Sequence, residues 1–207
     1  MRLNSVKILI QLFPVVIWVS GCMTHQLDVS YSADPSRQSP LRTIPSLTMA
    51  LEVEDVRPKD ESDVVGVHAP LGYDSVRYQT KNEVQAILLE GLRNELENNG
   101  HKVIPVVERE ADVRIVVRIR KFWIDQRNHL FSSDHIGTIS ADFAVLNPRD
   151  GSIYGQRPVI GTFRTSLYLF RPFVTSDNVM NGALAEFIRS FSRDPELLEY
   201  LRLAQEE

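Results

Sequence analysis

Ala111-Asp112-Val113-Arg114-Ile115-Val116-Val117-Arg118-Ile119-Arg120-Lys121-Phe122-Trp123-Ile124-Asp125 decides the fold. Branched aliphatic residues alternate with arginines through most of it. That period of two marks a strand with one face on a core and the other in solvent. Val113, Ile115, Val117 and Ile119 are assigned to the core face; Arg114, Val116, Arg118, Arg120 and Phe122 are assigned to the opposite one.

Downstream, Gly137 to Leu146 repeats the pattern, with Ile139, Ala141, Phe143 and Val145 facing one way. Asn147-Pro148-Arg149-Asp150-Gly151 is a turn, and a further strand system runs from Ile153 to about Phe170. The three strands read as an antiparallel meander. Upstream, Thr48 to Asp55 alternates with Met49, Leu51 and Val53 on one face. The polar stretch from Arg57 to Gln79 is longer than an ordinary connection, and such loops are usually functional or mobile. Thr80-Lys81-Asn82-Glu83 has the form of a capping box. Behind it Val84, Ile87, Leu88, Gly91, Leu92 and Leu96 recur at helical spacing and stop at Asn99-Gly100. His101 to Val107 reads as a short strand, placed at a sheet edge by Pro105. Val179, Met180, Ala183, Leu184, Phe187, Ile188 and Phe191 form the apolar stripe of a second helix, and Asp194-Pro195-Glu196 starts a short third one. The expected fold class is α+β: a two-layer sandwich in β-α-β-β-β-β-α order. A mostly antiparallel sheet of four to five strands carries two amphipathic helices on one face.

The N-terminus sets the compartment. Arg2 and Lys7 precede the apolar run Ile8 to Val19, and Ser20-Gly21-Cys22 closes it. A basic start, a short apolar stretch and small residues at the cut describe a secretory signal. Its cysteine, the only one in the chain, has the placement of a bacterial lipoprotein signal, with lipidation of Cys22 and cleavage after Gly21. The run is about 12 residues and contains Gln11 and Pro14, too short to span a bilayer. Residues 1–21 are therefore expected to be the signal peptide. Residues 22–46, with Pro35, Pro40 and Pro45 and few apolar residues, are expected to be the lipidated cysteine and a flexible tether. Residues 47–207 are expected to be a single periplasmic domain. Met23 rather than Asp after the cysteine favours the outer membrane, facing the periplasm. Cleavage removes Arg2 and Lys7 but no acid, taking the formal charge from −4 to −6. A net acidic chain argues against sequence-independent nucleic-acid binding, which needs excess Lys and Arg. With its one thiol lipidated, the mature chain forms no disulfide.

Three stretches together carry a family resemblance. They are Val53-Glu54-Asp55-Val56-Arg57, Glu97-Asn98-Asn99-Gly100-His101-Lys102-Val103 and Ser192-Arg193-Asp194-Pro195-Glu196-Leu197-Leu198-Glu199-Tyr200-Leu201. With the lipidation signal and the Pro-rich segment, the chain resembles the YajG-like outer-membrane lipoproteins, from about Leu47 to Leu201. The resemblance implies fold and location and transfers no catalytic residue.

No catalytic motif stands out. The five histidines lack metal-ligand spacing. Asp125, His129, Asp134 and His135 share one hairpin region without a converging pattern. No enzyme activity, metal or cofactor is expected. Binding is the favoured class, with two candidate surfaces. Arg114, Arg118 and Arg120, beside Lys121, can form an anion-binding stripe for lipid phosphates or an acidic partner; the plainer reading is a solvated sheet face with acids such as Asp142 close by. Phe131, Phe170 and Phe173, with Leu130 and Arg171, form an aromatic alternative, as a docking surface or as core. The expected function is a lipid-anchored accessory or adaptor protein that binds an envelope protein. The alternative is a lipid- or glycolipid-binding component of an envelope transport system.

Overall fold

A computed structural model describes residues 23–37, 39–62, 64–68, 75–105, 110–129, 132–168 and 176–206. Among these residues eight strands form one mixed sheet: β1 (Met23–Leu27), β2 (Thr48–Asp55), β3 (Gly66–His68), β4 (Val76–Thr80), β5 (Lys102–Ile104), β6 (Val113–Asn128), β7 (Ser132–Leu146) and β8 (Ile153–Tyr168). Three α-helices among the described residues follow the pattern of the sequence: α1 (Val84–Asn98), α2 (Ser176–Ser192) and α3 (Pro195–Leu203). Among the described residues no helix is long and apolar enough to cross a membrane.

The α+β class and the β6–β7–β8 meander match expectation; the strand count and the sheet order do not. β1, β3 and β4 lie in stretches that the sequence marks as irregular chain, and four ladders are parallel: β1 with β4, β2 with β5, β2 with β6, and β3 with β6. One edge of β6 is shared. Its first half pairs with β2, from Met49 opposite Val113 to Asp55 opposite Ile119. Farther along, β3 takes over, with Gly66 opposite Ile124. The chain leaves the sheet between these two strands. Arg57 fills the gap: its side chain is 1% exposed. Its guanidinium donates to both oxygens of Asp55, at 2.9 and 2.7 Å, and to the carbonyls of Ser62, Val64 and Phe122.

A β-bulge at Ile119/Lys121 corrects the sequence assignment of β6. One extra residue reverses the facing of everything beyond it. Arg120 and Lys121 both meet the open side, and Phe122, assigned to the arginine face, is fully buried in the core with Ile124 behind it.

Residues 23–46 are not a free tether. Besides forming β1, they bury Leu27, Val29, Leu41 and Ile44 in the core. Backbone amides of Asp28 and Ser30 donate to Asp177 and Asn181 of α2. Ser39 Oγ donates to the Ser192 carbonyl. The buried His101 accepts from the Leu47 amide through Nδ1 and donates from Nε2 to the Leu41 carbonyl. Four well-placed aliphatic side chains repay the ordering that the segment's low average hydrophobicity argued against.

All three helices lie on one face, α1 over β2 and β5, α2 over β6, β7 and β8, and α3 over β7 and β8. Leu88, Leu92, Leu96, Ala183, Phe187 and Phe191 are fully buried with Val113, Ile115 and Val117. Phe143 stacks on Phe191 at 4.6 Å. The end of α1 is a Schellman motif: His101 N–H donates to Leu96 and Gly100 N–H to Glu97, with Gly100 at φ 94°. Asp194 caps α3 through the amides of Glu196 and Leu197. The capping box before α1 does not form. Thr80 ends β4 and donates to the Asn82 carbonyl, and Glu83 makes no side-chain cap.

Candidate functional site

The face of the sheet opposite the helices carries the predicted arginines. Arg114 bonds Glu52, Arg118 bonds Glu54 at 2.9 Å, and Arg120 bonds Asp142 at 2.7 Å. Lys121 reaches Asp125 at 3.2 Å. The parallel pairing of β2 with β6 creates the first two bridges. It sets Glu52 beside Val116 and Glu54 beside Arg118, in phase with the arginine row. The stripe is therefore a ladder of ion pairs, and an incoming phosphate would have to displace a carboxylate from each arginine. Exposed pairs of this kind stabilise little, typically under 1 kcal/mol each. Their consequence is local pairing: within these bridges five cations, counting Arg164, meet five carboxylates, counting Asp134.

Asp134 is the best-organised polar group on this face. Its carboxylate accepts from Ser166 Oγ at 2.5 Å and from Arg164 at 2.5 Å, and lies 3.1 Å from His129 Nε2. The Ser166 hydroxyl above all, then Arg164 and His129, hold the carboxyl well below the usual range. Sequence reading noted Asp134 and His129 and missed Arg164 and Ser166. The register hid them: continuing the Leu146–Ile153 pairing would set Thr165 opposite Asp134, and only an irregularity at Val145/Leu146 brings Ser166 there. Asp125 and His135 do not join the cluster. Asp125 belongs to Lys121, and His135 lies buried beside Ser133 Oγ at 3.2 Å. Burial, then the neighbouring His68, push the His135 imidazole down. Among the described residues no three His, Cys, Asp or Glu side chains converge as a metal site.

The Asp134 cluster has a pH signature. A carboxyl whose folded pKa is depressed contributes stability above its unfolded pKa, near 3.9, and loses it as pH falls through the folded value. The stability gap between the wild type and Asp134→Asn is expected to stay constant from pH 7 to about 5 and to close progressively below about 4. Urea midpoints at stepped pH read this directly, and a gap that widens in acid would contradict it.

At its outer edge β8 pairs with no other described strand. Ile160 projects from it 60% exposed, as does Ile153. Pro158 sits within it, as edge strands permit. Of the predicted aromatic surface, Phe131, Phe170 and Phe173 lie outside the described residues, as does Cys22.

Two clefts bear on ligand class. One of about 520 Å³ lies where β4 meets α1 and is lined mainly by polar groups, among them Asp55, Gln79, Lys81, Glu83 and Gln85. A more apolar one under α3, bounded by Phe143, Val145, Val159, Leu197 and Tyr200, holds about 10 Å³.

The architecture is thus an α+β domain whose mixed sheet is covered by helices on one face and bears a balanced ionic ladder on the other. A protein of Xanthomonas campestris in the DUF330 family has this fold: TM-score 0.58 and 12% identity over 89% of this chain and 98% of that one. A lipoprotein of Neisseria meningitidis aligns over 58% of this chain and 85% of its own, at 11% identity and TM-score 0.37. A minor lipoprotein of Acinetobacter baumannii aligns over 77% and 91%, at 15% identity and TM-score 0.34. The first likeness is one of fold alone, and the other two are too distant to support an argument. No protein-family model and no curated protein matches the sequence.

Proposed function

We propose that the chain is a lipid-anchored accessory protein of the bacterial envelope that binds a protein partner through the open sheet face and the β8 edge. The compartment rests on the lipidation signal ending at Cys22, and the outer-membrane, periplasm-facing placement rests on Met23 after it. The YajG-like resemblance is part of this reading and rests on the motifs that carry it. The observation that carries the partner reading is the combination, among the described residues, of a face without helices, a ladder of paired charges across it, and a β8 edge that no other strand pairs with, where Ile160 is exposed. A face whose charges are mostly paired suits a partner with its own mixed charges, and an open strand edge offers main-chain hydrogen bonds. The alternative, lipid or glycolipid handling, calls for an apolar concavity. Among the described residues the larger of the two clefts is lined mostly by polar side chains and the apolar one is too small for an acyl chain, so the protein-partner reading is preferred.

Photo-crosslinking in cells tests this. A photoreactive residue at Ile160 or Thr162 is expected to capture a protein in the intact envelope, whereas one at Glu97, on the exposed side of α1, is expected to capture none. Capture from α1 with silence at β8 would overturn the assigned face.

A further inference from the structure

We infer that the domain rests directly on the bilayer, with the end of the sheet where β1 begins facing the lipid and no spacer in between. This rests on the lipid-anchor reading of Cys22. Met23, the next residue, is already in the sheet, with Met23 opposite Val76 and the ladder continuing to Leu27 opposite Thr80. Consecutive Cα atoms are about 3.8 Å apart, so a lipid on Cys22 is attached one residue from the sheet. The chain beyond β1 supplies no slack, because Asp28, Ser30, Ser39 and Leu47 are each bonded to helices or to the α1–β5 turn.

Strand register then fixes which end is down. Val76 pairs with both Met23 and His68. His68 lies within electrostatic reach of His135, and His135 pairs with Gln126 and Thr165. The strands β1, β4, β3, β6, β7 and β8 therefore share one end. Its chemistry suits a phospholipid surface. Met23 and Val67 are 67% and 46% exposed. Arg77 and Arg127 are exposed and, unlike Arg114, Arg118, Arg120 and Arg164, have no ion pair among the described residues. Cations beside a lipid anchor add electrostatic attraction to anionic headgroups. The 16 residues of β6, at about 3.3 Å each, carry the opposite end roughly 50 Å away. The open face thus stands upright on the membrane, and the Asn147–Gly151 turn is far from it.

The full lipoprotein in vesicles of phosphatidylethanolamine and phosphatidylglycerol provides the test. Cys22 is the sole native cysteine and its thiol carries the lipid, so Arg77→Cys or Arg149→Cys supplies one free thiol for a fluorophore. Headgroup-nitroxide lipid is expected to quench the dye at 77 several-fold more than the dye at 149. An insert of about 20 Gly and Ser residues after Cys22, a coil spanning roughly 25 Å, is expected to abolish the difference. Flotation scores the anchor separately. Protein that fails to float overturns the anchor and the inference together; protein that floats with equal quenching overturns the placement alone. A difference that survives the insert overturns the claim that the missing spacer sets the placement.

Discussion

Gly161→Val is expected to cost the domain about 3 kcal/mol or more, the upper range for overpacking a closed core. Gly161 lies on β8 beneath α2, and a Cβ there would sit 2.2 Å from the Phe187 amide nitrogen and 2.4 Å from its Cα. Those atoms belong to helix backbone, so no rotamer change relieves the contact and α2 must lift. Lifting it separates Phe187 and Phe191 from Phe143, with which both rings pack. Gly137 repeats the arrangement, with a Cβ at 2.8 Å from the Val179 carbonyl. The control is Thr162→Val, one residue along on the exposed side, which is expected to change stability by less than about 0.5 kcal/mol. Urea denaturation measures both. A Gly161→Val variant within that same margin would refute the close seating of α2.

Arg57→Met is the second large effect. Burial alone would push the Asp55 carboxyl up, but the Arg57 hydrogen bonds and charge hold it below its ordinary value. Methionine leaves that carboxylate with only the residue-57 amide as a partner, without the guanidinium, and frees the Ser62, Val64 and Phe122 carbonyls that the guanidinium served. Breaking a buried pair in this way costs about 3–5 kcal/mol. The double variant Arg57→Met with Asp55→Leu removes the orphaned charge and is expected to recover part of the loss. A double variant less stable than the sum of the two single changes would show that the gap in the sheet, not the ion pair, needs the arginine.

The legible part of the fold was the part with an unbroken period. The apolar stripes of α1, α2 and α3 and the alternation in β2 and β7 lead straight to the buried residues. β6 was legible as far as Ile119. Beyond the bulge, Phe122 and Ile124 keep a period of two in the opposite phase, and a single alternation extended through Arg120 and Lys121 sends Phe122 to the wrong face. The short β3 and β4 lie in polar chain whose apolar residues are too few to show a period, and their pairing is visible only in space. The segment from Met23 to Ser46 hides its role for a related reason: Leu27, Val29, Leu41 and Ile44 are spread over 18 residues broken by two prolines. At the candidate site, the sequence identified the open-face arginines. It did not identify their partners, because Glu52 and Glu54 become neighbours of Arg114 and Arg118 only through a parallel ladder 62 to 64 residues away.

The N-terminal segment also sets the order in which the domain can close. A growing chain appears N-terminus first, and domains generally fold as units during that growth. Yet β1 waits for β4, the amides of Asp28 and Ser30 wait for Asp177 and Asn181, and the Ser39 hydroxyl waits for the Ser192 carbonyl, 153 residues later. The earliest-made residues are the last to find their places, after α2 is complete. Such distant pairings pay their chain entropy before any contact returns it, and they slow folding. A nascent chain halted before Ser176 would lack α2 and α3 and would also leave Leu27, Val29, Leu41 and Ile44 with an unfinished core to enter. A truncation at one end of the polypeptide would thereby undo the other.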